Sequence, residues 1–279
     1  MNYIAILPEI ILSSFALAVL TMDFAIKQKD RKFLAYLSLT GLLATLFAMP
    51  ITFGIKVSLF YGHYVIDLFS AFFKIVFVTV AMLVTLASIN YIEKDKNQGE
   101  YYFLLLLATL GMMVVSSAGD LTTLYVGLEL ASISTYALAG FRKDVNSSEA
   151  SLKYFVVGAL SSAIILFGLS LTYGITGTTN IVEVSTKLTP PLSKEFSTVA
   201  ILAAVFLVAG FGFKMAAVPF HMWVPDAYQG APTTISGFLA AGSKKMGFVA
   251  ALRIFAVALI AFRAEWSFLF AVLSLLTMT

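Results

Sequence analysis

Gly210-Phe211-Gly212-Phe213-Lys214-Met215-Ala216-Ala217-Val218-Pro219 puts a lysine, two glycines and a proline inside one apolar run, about Thr198–Tyr228. Proline lacks an N–H and disfavours a helical residue before it, so a helix breaks or kinks at Val218-Pro219. Broken backbone at membrane depth survives only where protein or water covers it. Discontinuous helices recur at the ion sites of transporters. Lys214 falls at the C-terminal end of the first half-helix, the negative end of its dipole. Gly210, Gly212 and Pro219 are the expected breaking residues. The plainer reading is a proline kink with an incidental lysine.

The rest of the chain supplies the membrane setting. Of 279 residues, 60% are hydrophobic and 12% charged, and none is cysteine. An average soluble domain is roughly a quarter charged, so a soluble enzyme is excluded. The lack of cysteine excludes disulfides, iron–sulfur ligation and a thiol nucleophile. His63 and His221 leave little scope for a haem, and a net charge of +3 gives nucleic acid no footing. Apolar runs separated by polar breaks predict spans at about Ile4–Phe24, Phe33–Phe53, Val65–Tyr91, Tyr101–Ala118, Leu121–Phe141, Ser148–Tyr173, the interrupted Thr198–Tyr228 and Thr233–Phe262. A ninth begins near Glu265 and is still apolar at Thr279, which suggests a longer protein. The fold class is therefore an all-α polytopic transmembrane bundle. Residues 1–279 form a single membrane domain, with no soluble domain or linker.

Ser147 or Ser148 is the expected N-cap of the sixth span. Gly174–Ser197, with Pro190-Pro191, is the longest loop. One set of loops holds Lys27, Lys29, Arg31, Lys32, Lys94, Lys96, Arg142 and Lys143; the other holds Lys56, Lys187, Lys194 and Arg263. The excess of basic residues marks the first set as cytoplasmic, leaving the N-terminus outside.

Ionisable groups inside the runs cost about 2.5–3.5 kcal/mol each at mid-bilayer on insertion scales, so each needs a partner, water or a function. Glu129 is central in the fifth span. Lys153 lies in the first turns of the sixth, an antiparallel neighbour, and is expected to approach Glu129 laterally. A structural ion pair, or a lysine snorkelling to the surface, are the alternatives. Lys244 and Lys245 are adjacent in the eighth span and point about 100° apart, so one faces the interior and one of them is structural. Glu129, Lys153, Lys214 and Lys244 thus form a lateral series on four consecutive helices, suited to passing protons within the membrane plane. Among the remaining groups, Asp67 and Lys74 sit seven apart on the third span and share a face without an assigned role. His221 and Trp223 read as the second half-helix and its interfacial anchor. Gly210-x-Gly212 follows no strand and is not a nucleotide fingerprint.

Two segments carry a family resemblance. One is Tyr125-Val126-Gly127-Leu128-Glu129-Leu130-Ala131-Ser132 with Tyr136-Ala137-Leu138-Ala139-Gly140. The other is Phe213-Lys214 with Val218-Pro219-Phe220-His221-Met222-Trp223-Val224-Pro225-Asp226-Ala227-Tyr228-Gln229-Gly230-Ala231-Pro232-Thr233. Both resemble the antiporter-like, proton-translocating membrane subunits of respiratory complex I. Leu7-Pro8-Glu9-Ile10 and Glu149-Ala150-Ser151-Leu152-Lys153-Tyr154-Phe155 look most like the subunit N branch of bacterial NADH:quinone oxidoreductase.

The resemblance implies fourteen helices with two inverted five-helix repeats, each with one broken helix. Eight or nine helices are present here: three at 4–91, the first repeat at about 101–262, and the start of the second at 265–279. It implies that Glu129 and Lys153 form a modulating pair, that Lys214 is the central protonatable group, and that Lys244, rather than Lys245, connects onward. The family's outlet residue lies beyond Thr279. No catalytic, cofactor-binding or metal-binding residue is implied in this chain; FMN, iron–sulfur clusters and quinone belong to other subunits. Implied partners are a neighbouring antiporter-like subunit, small membrane subunits and the lipid of a bacterial inner membrane. A multisubunit Na+/H+ antiporter, a membrane-bound hydrogenase and a non-conducting scaffold are the competing readings.

Overall fold

A computed structural model describes residues 3–27, 31–93, 95–189 and 194–279. Its helices are α1 (Leu7–Ala25), α2 (Lys32–Ala48), α3 (Leu68–Tyr91), α4 (Gln98–Ser116), α5 (Leu121–Ala139), α6 (Val145–Thr176), α7 (Ile181–Lys187), α8 (Lys194–Met215), α9 (Trp223–Gly230), α10 (Thr233–Phe238), α11 (Lys244–Arg253) and α12 (Arg263–Met278). Among the described residues, seven helices are long and apolar enough to cross a membrane. α5 has the length at 19 residues, but Glu129, Ser132, Ser134 and Thr135 dilute its apolar content. The chain is a multi-pass, all-helical membrane protein.

Acidic and amide caps start α3, α5, α6 and α7. Asp67 accepts from Ser70 N at the head of α3 and completes a capping box. Asp120 caps α5 and Asn180 caps α7. α6 starts earlier than the sequence suggests: Asp144, not Ser147 or Ser148, is its N-cap, accepting from Ser147 N at 2.7 Å. A carboxylate outcompetes a hydroxyl at the positive end of the helix dipole.

A small hairpin interrupts the helical plan. β1 (Val57–Leu59) pairs antiparallel with β2 (Tyr64–Ile66). Val65 therefore belongs to a strand, and the third span begins at Leu68. The loops at this end lock together: Val65 N donates to Ser117 O (2.8 Å), Gly119 N to His63 O (2.9 Å) and Ile181 N to Gly119 O (3.0 Å). His63 also pairs with Asp120. The expected long loop is shorter than read, since α6 runs on to Thr176 and α7 fills part of it; Pro190-Pro191 lies outside the described residues.

The loops after α1, α3 and α5 meet at the opposite end, through Lys32–Glu93 (2.8 Å), Lys143–Glu100 (3.9 Å) and Arg142 against Tyr91. A serpentine path demands this segregation. Lys29 and Lys94 of the basic set lie outside the described residues.

α4 is the central helix, sheathed by α1, α2, α3 and α5. It touches α5 so closely that a Cβ on Gly111 would lie 2.6 Å from Ala131 N. α6 and α8 form the other tightly packed pair. Two π-turns, Leu239–Ser243 and Ile254–Ala258, flank α11. The eighth span is thus not one regular helix.

Candidate functional site

α8 ends at Met215. Ala216 turns left-handed (φ 59°), Ala217 N folds back to Gly212 O (2.8 Å), and helix resumes only at Trp223. Val218-Pro219 lies in this link, as the proline predicts. Gly210 and Gly212 do not break the helix, contrary to expectation. Both lie inside α8, where they clear space for neighbours: Ser161 Oγ donates to Gly210 O (2.9 Å), and a Cβ on Gly212 would lie 2.8 Å from the Phe220 ring.

Lys214 is buried one residue before the break. Its Nζ donates to Ser132 Oγ at 2.7 Å and lies 5.9 Å from the Tyr136 ring centre. Ser132 and Tyr136 follow Glu129 at i+3 and i+7 on α5, so the three share a face. The Glu129 carboxylate accepts from Ser162 Oγ at 2.5 Å. Each group thus has its own serine hydroxyl, Ser132 of α5 for Lys214 and Ser162 of α6 for Glu129.

Lys153 is not part of that contact. Its Nζ binds Glu149 (2.8 Å, one turn back) and Asp226 of α9 (2.9 Å), in an open polar cleft of about 170 Å³. Glu129 meets α6 at Ser162, nine residues further along, which is about 14 Å up the helix axis. The expected Glu129–Lys153 pair does not form. α6 has 32 residues and a length of about 48 Å, so it overshoots a hydrocarbon core of about 30 Å. Lys153, the ninth residue of α6, is exposed there between Glu149 and Asp226.

Lys244 opens α11 and is half-buried, its Nζ 4.8 Å from the Tyr228 ring centre; Lys245 beside it is exposed. Aromatic rings fill the interval from Lys214 to Lys244. Tyr136 meets Tyr154 edge-on (4.6 Å), Tyr154 stacks on Trp223 (4.4 Å, 10°), and Trp223 meets Tyr228 (6.3 Å). Trp223 is buried in this row rather than serving as an interfacial anchor, because the α8–α9 link turns it inward against α6. Tyr136 Oη, Tyr228 Oη, Trp223 Nε1 and His221 Nδ1 are all buried without a protein hydrogen-bond partner. Clustered buried polar atoms of this kind are the usual binding points of internal water. Sequence reasoning missed this row, although Tyr136 at i+7 from Glu129 was a readable signal.

Asp67 and Lys74 serve different partners. Lys74, almost fully buried, pairs with Glu9 of α1 (2.7 Å), which also accepts from Tyr64 Oη (2.8 Å). Asp67 takes both ends of the Arg253 guanidinium, each at 2.8 Å. Among the described residues no group of three or more His, Asp or Glu could hold a metal ion.

The family model described as NADH:quinone oxidoreductase/Mrp antiporter, TM, matches residues 118–279, which contain the whole Glu129–Lys244 region. The chain is 46% identical over 281 residues to F(420)H(2) dehydrogenase subunit N of Methanosarcina mazei, covering 98% of this chain and 56% of that protein. It is 43% identical to NADH-quinone oxidoreductase subunit N of Trichlorobacter lovleyi, covering 100% of this chain and 57% of that protein. A solved chain of respiratory complex I from Thermus thermophilus superposes with a TM-score of 0.75 at 33% identity, covering 88% of this chain and 53% of the other. The chain thus spans a little over half the length of the curated relatives it matches. With the break, the buried lysine and these likenesses in one stretch, the chain belongs to the NADH:quinone oxidoreductase/Mrp antiporter transmembrane family, as an antiporter-like membrane subunit of the subunit N kind.

Proposed function

We propose that this chain is a proton-translocating membrane subunit of a quinone-reducing respiratory complex, and that Glu129, Lys214 and Lys244 are its protonic stations. The observation that carries the reading is Lys214: a buried amine at a helix break, held by a hydroxyl one turn from a carboxylate. An amine bound by a neutral hydroxyl loses no ion-pair partner when it gives up its proton, and the hydroxyl can then donate in return. Ser132 holds the amine and Ser162 holds Glu129, internal water bridges the two hydroxyls, and the phenols of Tyr136, Tyr154 and Tyr228 lead on to Lys244. Relays of this composition are the usual role of intramembrane ionisable groups.

Lys153 is placed at the cleft where the series meets water, exchanging protons with Glu149 and Asp226, rather than as Glu129's direct partner. Residues 101–262 are the first repeat and 265–279 open a second. FMN, iron–sulfur clusters and quinone sites lie in companion subunits, and the other membrane subunits flank this one. The end bearing Arg31, Lys32, Arg142 and Lys143 faces the cytoplasm, so the N-terminus lies outside the plasma membrane. The electron donor is NADH or F420H2, as the names of the two relatives divide. The proteins that co-purify with this one decide between them.

The test is proton pumping in vesicles containing the whole complex. Lys214→Ala and Glu129→Ala abolish or sharply reduce pumping while the complex still assembles. Normal pumping by both variants defeats the proposal. Exchange that depends on sodium, without a flavin arm, assigns the chain to an antiporter instead.

A further inference from the structure

α11 is a ten-residue rod between two π-turns, with Lys244 its first residue and Arg253 its last. A π-turn departs from the regular i→i+4 ladder, and such turns mark functional sites. The rod is therefore less constrained by its own helix than a segment of a continuous span would be. Something else must fix its rotation and depth.

The far end of the rod is pinned. Arg253 is buried and makes four hydrogen bonds. Nη1 reaches Asp67 Oδ2 (2.8 Å), Nη2 reaches Asp67 Oδ1 (2.8 Å), and Nη2 and Nε reach Ser116 O (2.7 and 3.2 Å). The guanidinium also lies 4.7 Å from the Phe69 ring centre. The acceptors are themselves fixed points, since Asp67 is the N-cap of α3 and Ser116 ends α4. A planar fork gripping a carboxylate at both ends fixes orientation as well as distance.

The near end of the rod carries the contacts that matter for the lysines. Lys244 and Arg253 are nine residues apart, which is two and a half turns, so they project from opposite faces about 14 Å apart along the axis. One turn after Lys244, Gly247 packs on the end of α8: a Cβ there would lie 3.0 Å from Lys214 Cβ and 2.9 Å from Lys214 C. Any rotation of the rod moves Lys244 off Tyr228 and Gly247 off Lys214 together.

We propose that Arg253, held by Asp67 and Ser116, is a positioning residue that seats α11 and thereby keeps Lys244 and Lys214 in register. The proposal deepens the proton-relay reading and rests on it only for its effect on pumping. The seating itself is measured separately.

Residues 244–253 supply the readout. Their backbone amides exchange with solvent through local opening, so exchange over this stretch reports how firmly α11 is seated. In the full-length protein within its complex, Arg253→Gln speeds exchange over 244–253 about tenfold or more while residues 34–48 of α2 keep the parent rate, and Arg253→Lys speeds it less, since the charge stays and the fork is lost. Equal rates in Arg253→Gln and its parent overturn the proposal, whatever the lysines do. Should Arg253→Gln fail to assemble, Asp67→Asn takes its place, because asparagine still caps α3. Asp67→Asn also lowers protons pumped per quinone reduced several-fold at equal complex content. A loss of pumping with an unchanged exchange rate also overturns the proposal. Faster exchange with normal pumping upholds the anchor and counts against the lysine relay.

Discussion

Removing the ammonium from Lys74 is a severe test of the ion-pair reading, because its surroundings leave Glu9 so little else. In Lys74→Met the methionine fills most of the lysine's apolar volume, so packing is nearly conserved and the change is chiefly electrostatic. The Lys74 side chain is 1% exposed and that of Glu9 11%. Glu9 Oε1 keeps only the Tyr64 hydroxyl, and Oε2 is buried with no partner. Breaking one side of a buried pair costs about 3–5 kcal/mol, mostly from the uncompensated charge left behind. The surviving Tyr64 bond puts the expectation at the lower end, about 3 kcal/mol. Adding Glu9→Gln removes the stranded charge while leaving an acceptor for Tyr64. The double variant is then expected to lose only about 1 kcal/mol, the cost of an ordinary hydrogen bond. The coupling between the positions is thus about 2 kcal/mol or more, measurable as a double-mutant cycle on unfolding of the purified full-length protein in detergent. Because α1 and α3 carry none of the proposed stations, protons pumped per quinone reduced stay at the parent value in both variants. Additive losses, or a Lys74→Met protein as stable as the parent, would refute the pairing. A fall in pumping stoichiometry would make Lys74 a station rather than a strut.

Two further outcomes follow from the same structure. Burial alone would raise the Asp67 carboxyl, but hydrogen bonds from Arg253 and Ser70 and the Arg253 charge outweigh it and hold the group below its ordinary value of 3.8. A carboxyl lowered in the folded state stabilises fully above its unfolded value and loses that contribution as pH falls through the folded one. The stability gap between parent and Asp67→Asn is therefore constant from pH 7 to about pH 5 and closes below about pH 4; a gap that widens on acidification contradicts the assignment. Lys153→Gln changes an exposed side chain, so melting temperature is unaffected, while proton uptake slows without being lost. Complete abolition, equal to that in Lys214→Ala, would return Lys153 to the interior of the pathway.

Much of this was legible in the residues. A bilayer demands about twenty apolar residues per crossing and penalises every charge inside, so spans and intramembrane ionisable groups stand out in any single sequence. Pro219 announced the break for the reason it occurs, a missing donor. The Glu129–Lys153 contact was misjudged because position along the helix decides reach. With Asp144 as the cap of α6, the lysine lies near the start of the helix, nine residues before Ser162, where Glu129 meets it. Gly210 and Gly212 were misread because glycine is equally the residue of close approach, and only the neighbouring helix tells the two uses apart. Arg253 and Glu9 were within reach of the rule that found Lys214 and were passed over. Their partners were not readable, since nothing in one sequence says that α3 lies against both α1 and the end of α11.

The way the buried charges are satisfied separates the direct pairs from the groups proposed to carry protons. Glu9 with Lys74 and Asp67 with Arg253 are direct pairs at 2.7 and 2.8 Å, joining helices that the proposed pathway does not use or anchoring one that it does. In such a pair each charge traps the other, since losing a proton from one strands its partner. Among the described residues, Glu129, Lys214 and Lys244 make no ion pair within 4.0 Å. Glu129 and Lys214 are held by serine hydroxyls, and Lys244 lies over the Tyr228 ring. Hydroxyls donate or accept as the need arises, so they serve either protonation state without rearrangement of the helices. Two places in the fold hold direct carboxylate–cation pairs, whereas the third is lined with hydroxyls, phenols and unpartnered polar atoms, and that difference is what the proposed proton exchange requires of it.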